Sequence, residues 1–294
     1  MKKNVALVLS GGGARGIAHI GVIEELEKQG FNIKSISGTS MGALVGGIYA
    51  TGKMQEYKNW MYTLNKLEVF NLVDFNVGIQ GLIKGDKVFN KMKEFIPDRN
   101  IEDLEIPYAA VAADIINNKE VVFTEGSVYN AIRASVAIPT VFTPVKTDEG
   151  LLVDGGVVNN IPVNRVKRTP DDILVVVNVN AHIPVYKPII SEKERARKES
   201  IYQKKVSEFK NHLQKINPLN HDKKIGYFDL INKTINLMIY HNAYLSFEQQ
   251  PPDILIEVSH NSCGTMDFYK AEEMVEIGRY AAIRSLKEYN KKLV

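Results

Sequence analysis

Apolar and polar positions alternate along this chain in two rhythms. Val5 to Ser10 is a short apolar run without polar alternation, the pattern of a strand covered on both faces in a parallel sheet. Gly11-Gly12-Gly13-Ala14-Arg15-Gly16 breaks the run, and apolar residues then recur at Ile17, Ile20, Ile23 and Leu26, which keeps one helical face until Gly30. Ile33 to Ile36 reads as a second strand, followed by a tight turn at Ser40 and a small-residue helix from Ala43 to Ala50. Strand, loop and helix repeat, which is the βαβ rhythm of a doubly wound or hydrolase-like sheet.

Further on, Tyr108 to Asp114 and Glu120 to Thr124 read as strands joined by a turn at Asn117-Asn118. Leu151 to Asp154, Ile173 to Val179 and Asp253 to Val258 complete the predicted strands. Phe228, Ile231, Ile235, Met238 and Ile239 mark an amphipathic helix ended by Pro251-Pro252, and Met266 to Tyr289 a closing helix. Two stretches lack a clean period. Between Trp60 and Pro97 large apolar residues are dense but interrupted by Gly78, Gly81 and Gly85, which fits either irregular core packing or a cap over an apolar substrate site. From Lys187 to Lys224 the chain is polar and lysine-rich and reads as a solvated helical excursion, with contact to an anionic surface as the alternative. No linker or internal repeat divides residues 1–294, so one domain is expected, with the excursion spanning 187–250 and the closing strand and helix 253–294.

Composition narrows the function classes. The chain has 294 residues, 45% hydrophobic and 24% charged, and its net charge of +3 gives no field that argues for nucleic acid. The single cysteine, Cys263, excludes an internal disulfide framework and a cysteine-based zinc site, which fits a reducing compartment. The start resembles a signal peptide only briefly, because its apolar run ends in three glycines, and a buried first strand is expected there instead. No run has the length of a membrane span, so a cytoplasmic protein with at most peripheral membrane contact is expected.

The candidate chemistry sits in the second βαβ turn. Gly38-Thr39-Ser40-Met41-Gly42 is a Gly-x-Ser-x-Gly pattern after a strand and before a helix, where glycines on either side remove the Cβ atoms that would crowd so sharp a bend. Ser40 is the candidate nucleophile. Gly11, Gly13 and Gly16 also match the dinucleotide fingerprint, but that site needs an acid near the end of the second strand, and Ile33 to Ser37 contains none. A serine hydrolase, by contrast, needs backbone N–H donors at the neighbouring strand end to receive an oxyanion.

Four blocks together resemble the patatin-like phospholipase family: Gly-Gly-Gly-Ala-Arg-Gly at Gly11 to Gly16, Gly-Thr-Ser-Met-Gly at Gly38 to Gly42, Ala-Ser-Val-Ala-Ile-Pro at Ala134 to Pro139, and Asp-Gly-Gly-Val-Val-Asn-Asn-Ile-Pro at Asp154 to Pro162. The resemblance covers about Asn4 to Asn180. It implies a three-layer α/β/α fold with a mostly parallel central sheet and a Ser-Asp dyad, with Ser40 as nucleophile and Asp154 as its base. A carboxylate is a weak base for a hydroxyl, so Asp154 must touch Ser40 directly and be partly desolvated. Gly155 and Gly156 let its backbone come close. The N–H groups of Gly11, Gly12 and Gly13 are implied as the oxyanion hole, Arg15 as a brace of that loop, and Asn159, Asn160 and Pro162 as shaping residues without a chemical role.

His19 is expected to make local hydrogen bonds. His182, His212, His221, His241 and His260 follow Asp154, so a Ser-Asp-His order is formally open, although none stands in a motif. No acid or histidine cluster has metal-ligand spacing, so neither metal nor cofactor is expected. The resulting expectation is a serine acyl hydrolase of lipid or fatty-acyl esters, of the phospholipase A, lysophospholipase or carboxylesterase type. The rivals are lipid acyl transfer by the same dyad and a low-turnover lipid-binding regulator. A homodimer is compatible with all of these.

Overall fold

The computed structural model describes residues 3–72, 84–139, 141–186 and 227–292. All the predicted strands are present, some with longer bounds. They are β1 (Lys3–Leu9), β2 (Phe31–Thr39), β3 (Tyr108–Asp114), β4 (Lys119–Phe123), β6 (Leu151–Asp154), β7 (Ile173–Ala181) and β8 (Ile254–Ser259), and the two-residue strand β5 (Val145–Lys146) adds to the sequence pattern. They form one sheet in the order β5-β6-β3-β2-β1-β7-β8, with β4 paired to β3. Pairings β3/β2, β2/β1, β1/β7 and β7/β8 are parallel, and those of β4 with β3, β6 with β3 and β5 with β6 are antiparallel.

The described helices are α1 (Ala18–Lys28), α2 (Met41–Ala50), α3 (Met54–Thr63), α4 (Lys66–Leu72), α5 (Asp86–Lys93), α6 (Val128–Ser135), α7 (Tyr227–Gln249) and α8 (Ala271–Lys292). A 3₁₀ turn, Gly13–Ile17, leads into α1. The stretch after Trp60 that has no clean period folds, where described, as the end of α3, then α4 and α5. The closing helix begins later than its apolar pattern predicts, because Phe268–Lys270 forms a separate 3₁₀ turn. The lysine-rich stretch, together with Phe75, Ile79, Leu82 and Ile83, lies outside the described residues.

Strand alternation explains the layers. Val5, Leu7 and Leu9 of β1 join the large core with α1, α2 and α8, while Ala6 and Val8 face Ile161, Val163, Val166 and Ala243 of α7 on the other side. From Val5 to Leu9, where both faces are covered, β1 carries no polar side chain. No helix among the described residues is long and apolar enough to cross a membrane.

The edge of β3 positions the site. β4 occupies one edge over Ala110 to Asp114. The opposite edge is shared: β2 runs parallel along it until Thr39 faces Val111, and β6 runs antiparallel until Asp154 faces Ala112. Two strands thus approach each other end to end along one edge and stop at consecutive positions. This opposition of directions brings Ser40, the residue after β2, to Asp154, the last residue of β6.

Candidate active site

Ser40 lies between β2 and α2 with φ 55° and ψ −125°, in the left-handed half of backbone space that non-glycine residues seldom occupy. The elbow is closed by close backbone approach. A Cβ on Gly38 would lie 2.5 Å from the Gly42 carbonyl, and one on Gly42 would lie 2.1 Å from the Leu9 carbonyl oxygen. A side chain at Gly38 would push α2 off β2, and one at Gly42 would push it off β1, either of which opens the turn. The Ser40 N–H donates to Ser135 Oγ at 2.8 Å, and the Ser135 hydroxyl donates to Val111 O at 2.6 Å, which ties the elbow to α6 and β3.

The glycine loop crosses directly beside the elbow. Gly11 N–H donates to Asn160 O at 3.2 Å and Ala14 N–H to Thr265 O at 2.9 Å, whereas the N–H groups of Gly12 and Gly13 meet no acceptor among the described residues. Gly11 therefore differs from the expected donor. Its lack of a Cβ is what the site uses, since that atom would stand 3.0 Å from Ser40 Cβ and 2.6 Å from Asn160 Oδ1. Gly13 has φ +56° and sits against Thr265, so a side chain there is both strained and blocked. Arg15 is committed to acceptors of the protein itself. It donates to Val179 O at 3.2 Å, Cys263 O at 3.3 Å and Asn180 Oδ1 at 2.8 Å, and Asn180 Nδ2 donates in turn to Gly11 O at 2.6 Å. Burial lowers the Arg15 pKa, although the neighbouring Cys263 acts in the opposite direction. Gly16 packs on the Met41 side chain and so keeps the loop against α2.

Asp154 is 6% exposed and accepts a hydrogen bond from Gly156 N–H at 2.7 Å to Oδ1, with Ser40 close enough to favour its ionised form. Burial pushes its carboxyl up to about 6, against the opposing pull of Ser40 and of the Gly156 N–H. Gly155 makes the approach feasible, because a Cβ there would lie 2.3 Å from Val111 O. The loop that follows is stitched to β2: Thr39 Oγ1 donates to Asn159 O at 2.7 Å and Ser37 Oγ to Pro162 O at 2.8 Å.

A narrow apolar cavity opens at Ser40 and Gly13 and extends between α2, α3, α4 and α5, lined among others by Leu44, Met61, Val69, Phe89 and Met92. Trp60, Leu64, Leu72 and Val88 also line it, so the aperiodic stretch supplies much of the wall. Phe70 does not: its ring is on the outer side of α4, 60% exposed. Met266 and Phe268, which the sequence pattern places in the closing helix, stand at the cavity instead.

No hydrogen bond joins a described histidine to Ser40 or Asp154. His19 is buried, its Nε2 hydrogen-bonds to Ser10 O at 2.8 Å, and burial lowers its pKa to about 4 despite that bond, so the ring is neutral. His182 and His260 stack on each other at 4.2 Å, and His182 meets the edge of Tyr240. His212 and His221 lie outside the described residues. Among the described residues no three His, Cys, Asp or Glu side chains converge on a point that could hold a metal ion. Ser135 and Asn180 are the residues that motif reading passes over. Ser135 lies within the block Ala134 to Pro139, and a serine at a helix end in that block is the signal that singles it out.

Residues 7–166 match the family model described as "Patatin-like phospholipase". An uncharacterized NTE family protein of Mycobacterium bovis is 30% identical over 97% of this chain and 92% of that protein. Patatin-like phospholipase domain-containing protein 7 of Rattus norvegicus is 30% identical over 60% of this chain and 14% of that protein. Lysophospholipase NTE1 of Kluyveromyces lactis is 27% identical over 93% of this chain and 18% of that protein. Among solved structures, VipD from Legionella pneumophila aligns with 98% of this chain and 67% of that chain, at 13% identity and a TM-score of 0.48.

Proposed function

The chain belongs to the patatin-like phospholipase family, and on that premise we propose that it hydrolyses carboxylic esters of lipids through an acyl-enzyme on Ser40, with Asp154 as the base. The observation that carries this reading is a strained Ser40 that lines an apolar cavity beside a buried Asp154 whose ionised form it favours. Ser40 Oγ attacks the ester carbonyl carbon as its proton passes to Asp154. The oxyanion that forms faces the uncommitted N–H groups of Gly12 and Gly13, with the N-terminus of α2 adding positive potential. Collapse expels the alcohol or lysolipid, which takes the proton from Asp154. Water then enters, gives its proton to Asp154 and releases the fatty acid.

Hydrolysis of lysophospholipid is the activity that the Kluyveromyces relative's name carries to this chain as a proposal. Arg15 and Asn180 act through the loop by fixing the direction of its amides, and His19 anchors the start of α1 on Ser10. The test is fluorophosphonate labelling with peptide mapping. The adduct is expected on Ser40, to be lost in Ser40→Ala, alongside release of fatty acid from a lysophospholipid by wild type alone. A folded wild-type protein that takes no label and releases no fatty acid would overturn the reading.

A further inference from the structure

The Asn160 carboxamide carries a buried N–H donor without a partner among the described residues. The residue is 3% exposed, and the donor is its Nδ2. The backbone on both sides of it is already held, by Thr39 at Asn159, by Gly11 at Asn160 and by Ser37 at Pro162. A buried amide without a partner is rare in folded proteins and calls for a partner that binds there. The carboxamide oxygen packs into the space that two glycines leave. A Cβ on Gly11 would lie 2.6 Å from Asn160 Oδ1, and one on Gly156 would lie 3.2 Å from the same atom and 3.0 Å from Asp154 Oδ1. The Gly11 position is also 3.0 Å from Ser40 Cβ. The carboxamide therefore stands between the glycine loop and the Asp154 loop, beside both members of the pair.

We propose that Asn160 is a positioning residue for the second half-reaction, holding the water that attacks the acyl group on Ser40. The inference rests on the acyl-enzyme reading above. A water needs several polar partners to be ordered, and here it would have the Asn160 amide and the Asp154 carboxylate. In this step the water oxygen bonds to the acyl carbonyl carbon and one water proton passes to Asp154. The bond from that carbon to Ser40 Oγ then breaks, and the proton on Asp154 returns to Oγ. The first half-reaction uses no water, so Asn160 is not required for it.

The experiment compares wild type with Asn160→Leu and Asn160→Ala, the alanine removing the amide without adding bulk. Rapid mixing with p-nitrophenyl butyrate gives acylation as the initial burst and deacylation as the steady rate, and intact-mass analysis of quenched samples gives the acyl-enzyme. In both variants the burst should stay within about threefold of wild type while deacylation falls by about tenfold or more, and the butyryl adduct on Ser40 should become the dominant species. Equal loss of both phases, no loss of either, or failure of both variants to fold would each overturn the role of Asn160. If neither wild type nor variants ever carry an acyl group on Ser40, the acyl-enzyme reading itself fails, which is a different result.

Discussion

The amide of Ser40 is held by the hydroxyl of Ser135, 95 residues away in sequence, at 2.8 Å. Because the same hydroxyl donates to Val111 O, one side chain fastens the strained elbow to the strand beside Asp154. Ser135→Ala removes both bonds and leaves a buried N–H and a buried carbonyl unpaired, at a cost of about 1–3 kcal/mol for a group left unsatisfied. Stability in urea should fall by that order, and kcat should fall by about tenfold or more with KM little changed, since a misplaced nucleophile loses rate before it loses substrate. Loss of stability with unaltered kcat would show that Ser135 supports the fold and not the position of Ser40.

Ser40→Ala and Asp154→Asn are each expected to lower ester hydrolysis on the order of a thousandfold or more, and the double variant no further than the worse single one. The two groups share one proton, so removing either disables the same step. Kinetics on the three variants, with circular dichroism to confirm folding, decides the matter. Near-wild-type turnover by Asp154→Asn would exclude the carboxylate as base.

Burial of Asp154 also sets two pH dependences. As a base it must be ionised, so kcat/KM should rise with pH and level off above about 6. Stability should move the opposite way. The folded carboxyl titrates near 6 and the unfolded one near 3.8, so the folded state binds more protons between these values. Its contribution is fully present below the lower value and is lost as pH rises through the upper one. Asp154→Asn, which stays neutral, should therefore be more stable than wild type at pH 8, on the order of 3 kcal/mol, with the gain vanishing near pH 3.5. Urea melts at the two pH values provide the comparison, and equal stability of the two proteins at pH 8 would mean that Asp154 is solvated in the folded state.

Legibility in the sequence followed the physics of each feature. Ser40, Gly38 and Gly42 were readable because a sharp strand-to-helix bend excludes Cβ atoms, a constraint that leaves glycine at fixed spacing. Asp154 and the glycine loop became readable only as members of a block pattern. That β6 runs antiparallel, and so meets β2 end to end, depends on pairing across β3 and leaves no local mark. Asn180 and Asn160 are polar residues whose neighbours in space, Gly11 above all, lie about 150 residues or more away in sequence. The stretch after Trp60 has no period because its helices are short and α4 divides its apolar residues between the cavity and the outer surface: Val69 and Leu72 line the cavity, while Leu67 and Phe70 point outward.

The cavity should measure the acyl chain. Each methylene it buries contributes ~0.8 kcal/mol, so four more carbons should favour an ester by about 3 kcal/mol, on the order of a hundredfold in kcat/KM. Activity on p-nitrophenyl esters below their micelle thresholds should therefore climb from C2 towards medium chains and level off where the cavity ends. Leu64 and Val88 line it from the end of α3 and from α5, and both are partly exposed, so a tryptophan at either can fill the cavity with less overpacking than at a fully buried site. Leu64→Trp and Val88→Trp should cut kcat/KM for the longer esters while sparing C2 and C4. Phe70→Ala should leave the profile in place, because that ring stands outside the cavity wall. A chain-length profile that is flat in wild type, or that neither tryptophan shortens while both proteins stay folded, would assign this cavity to core packing and leave the acyl group to bind elsewhere.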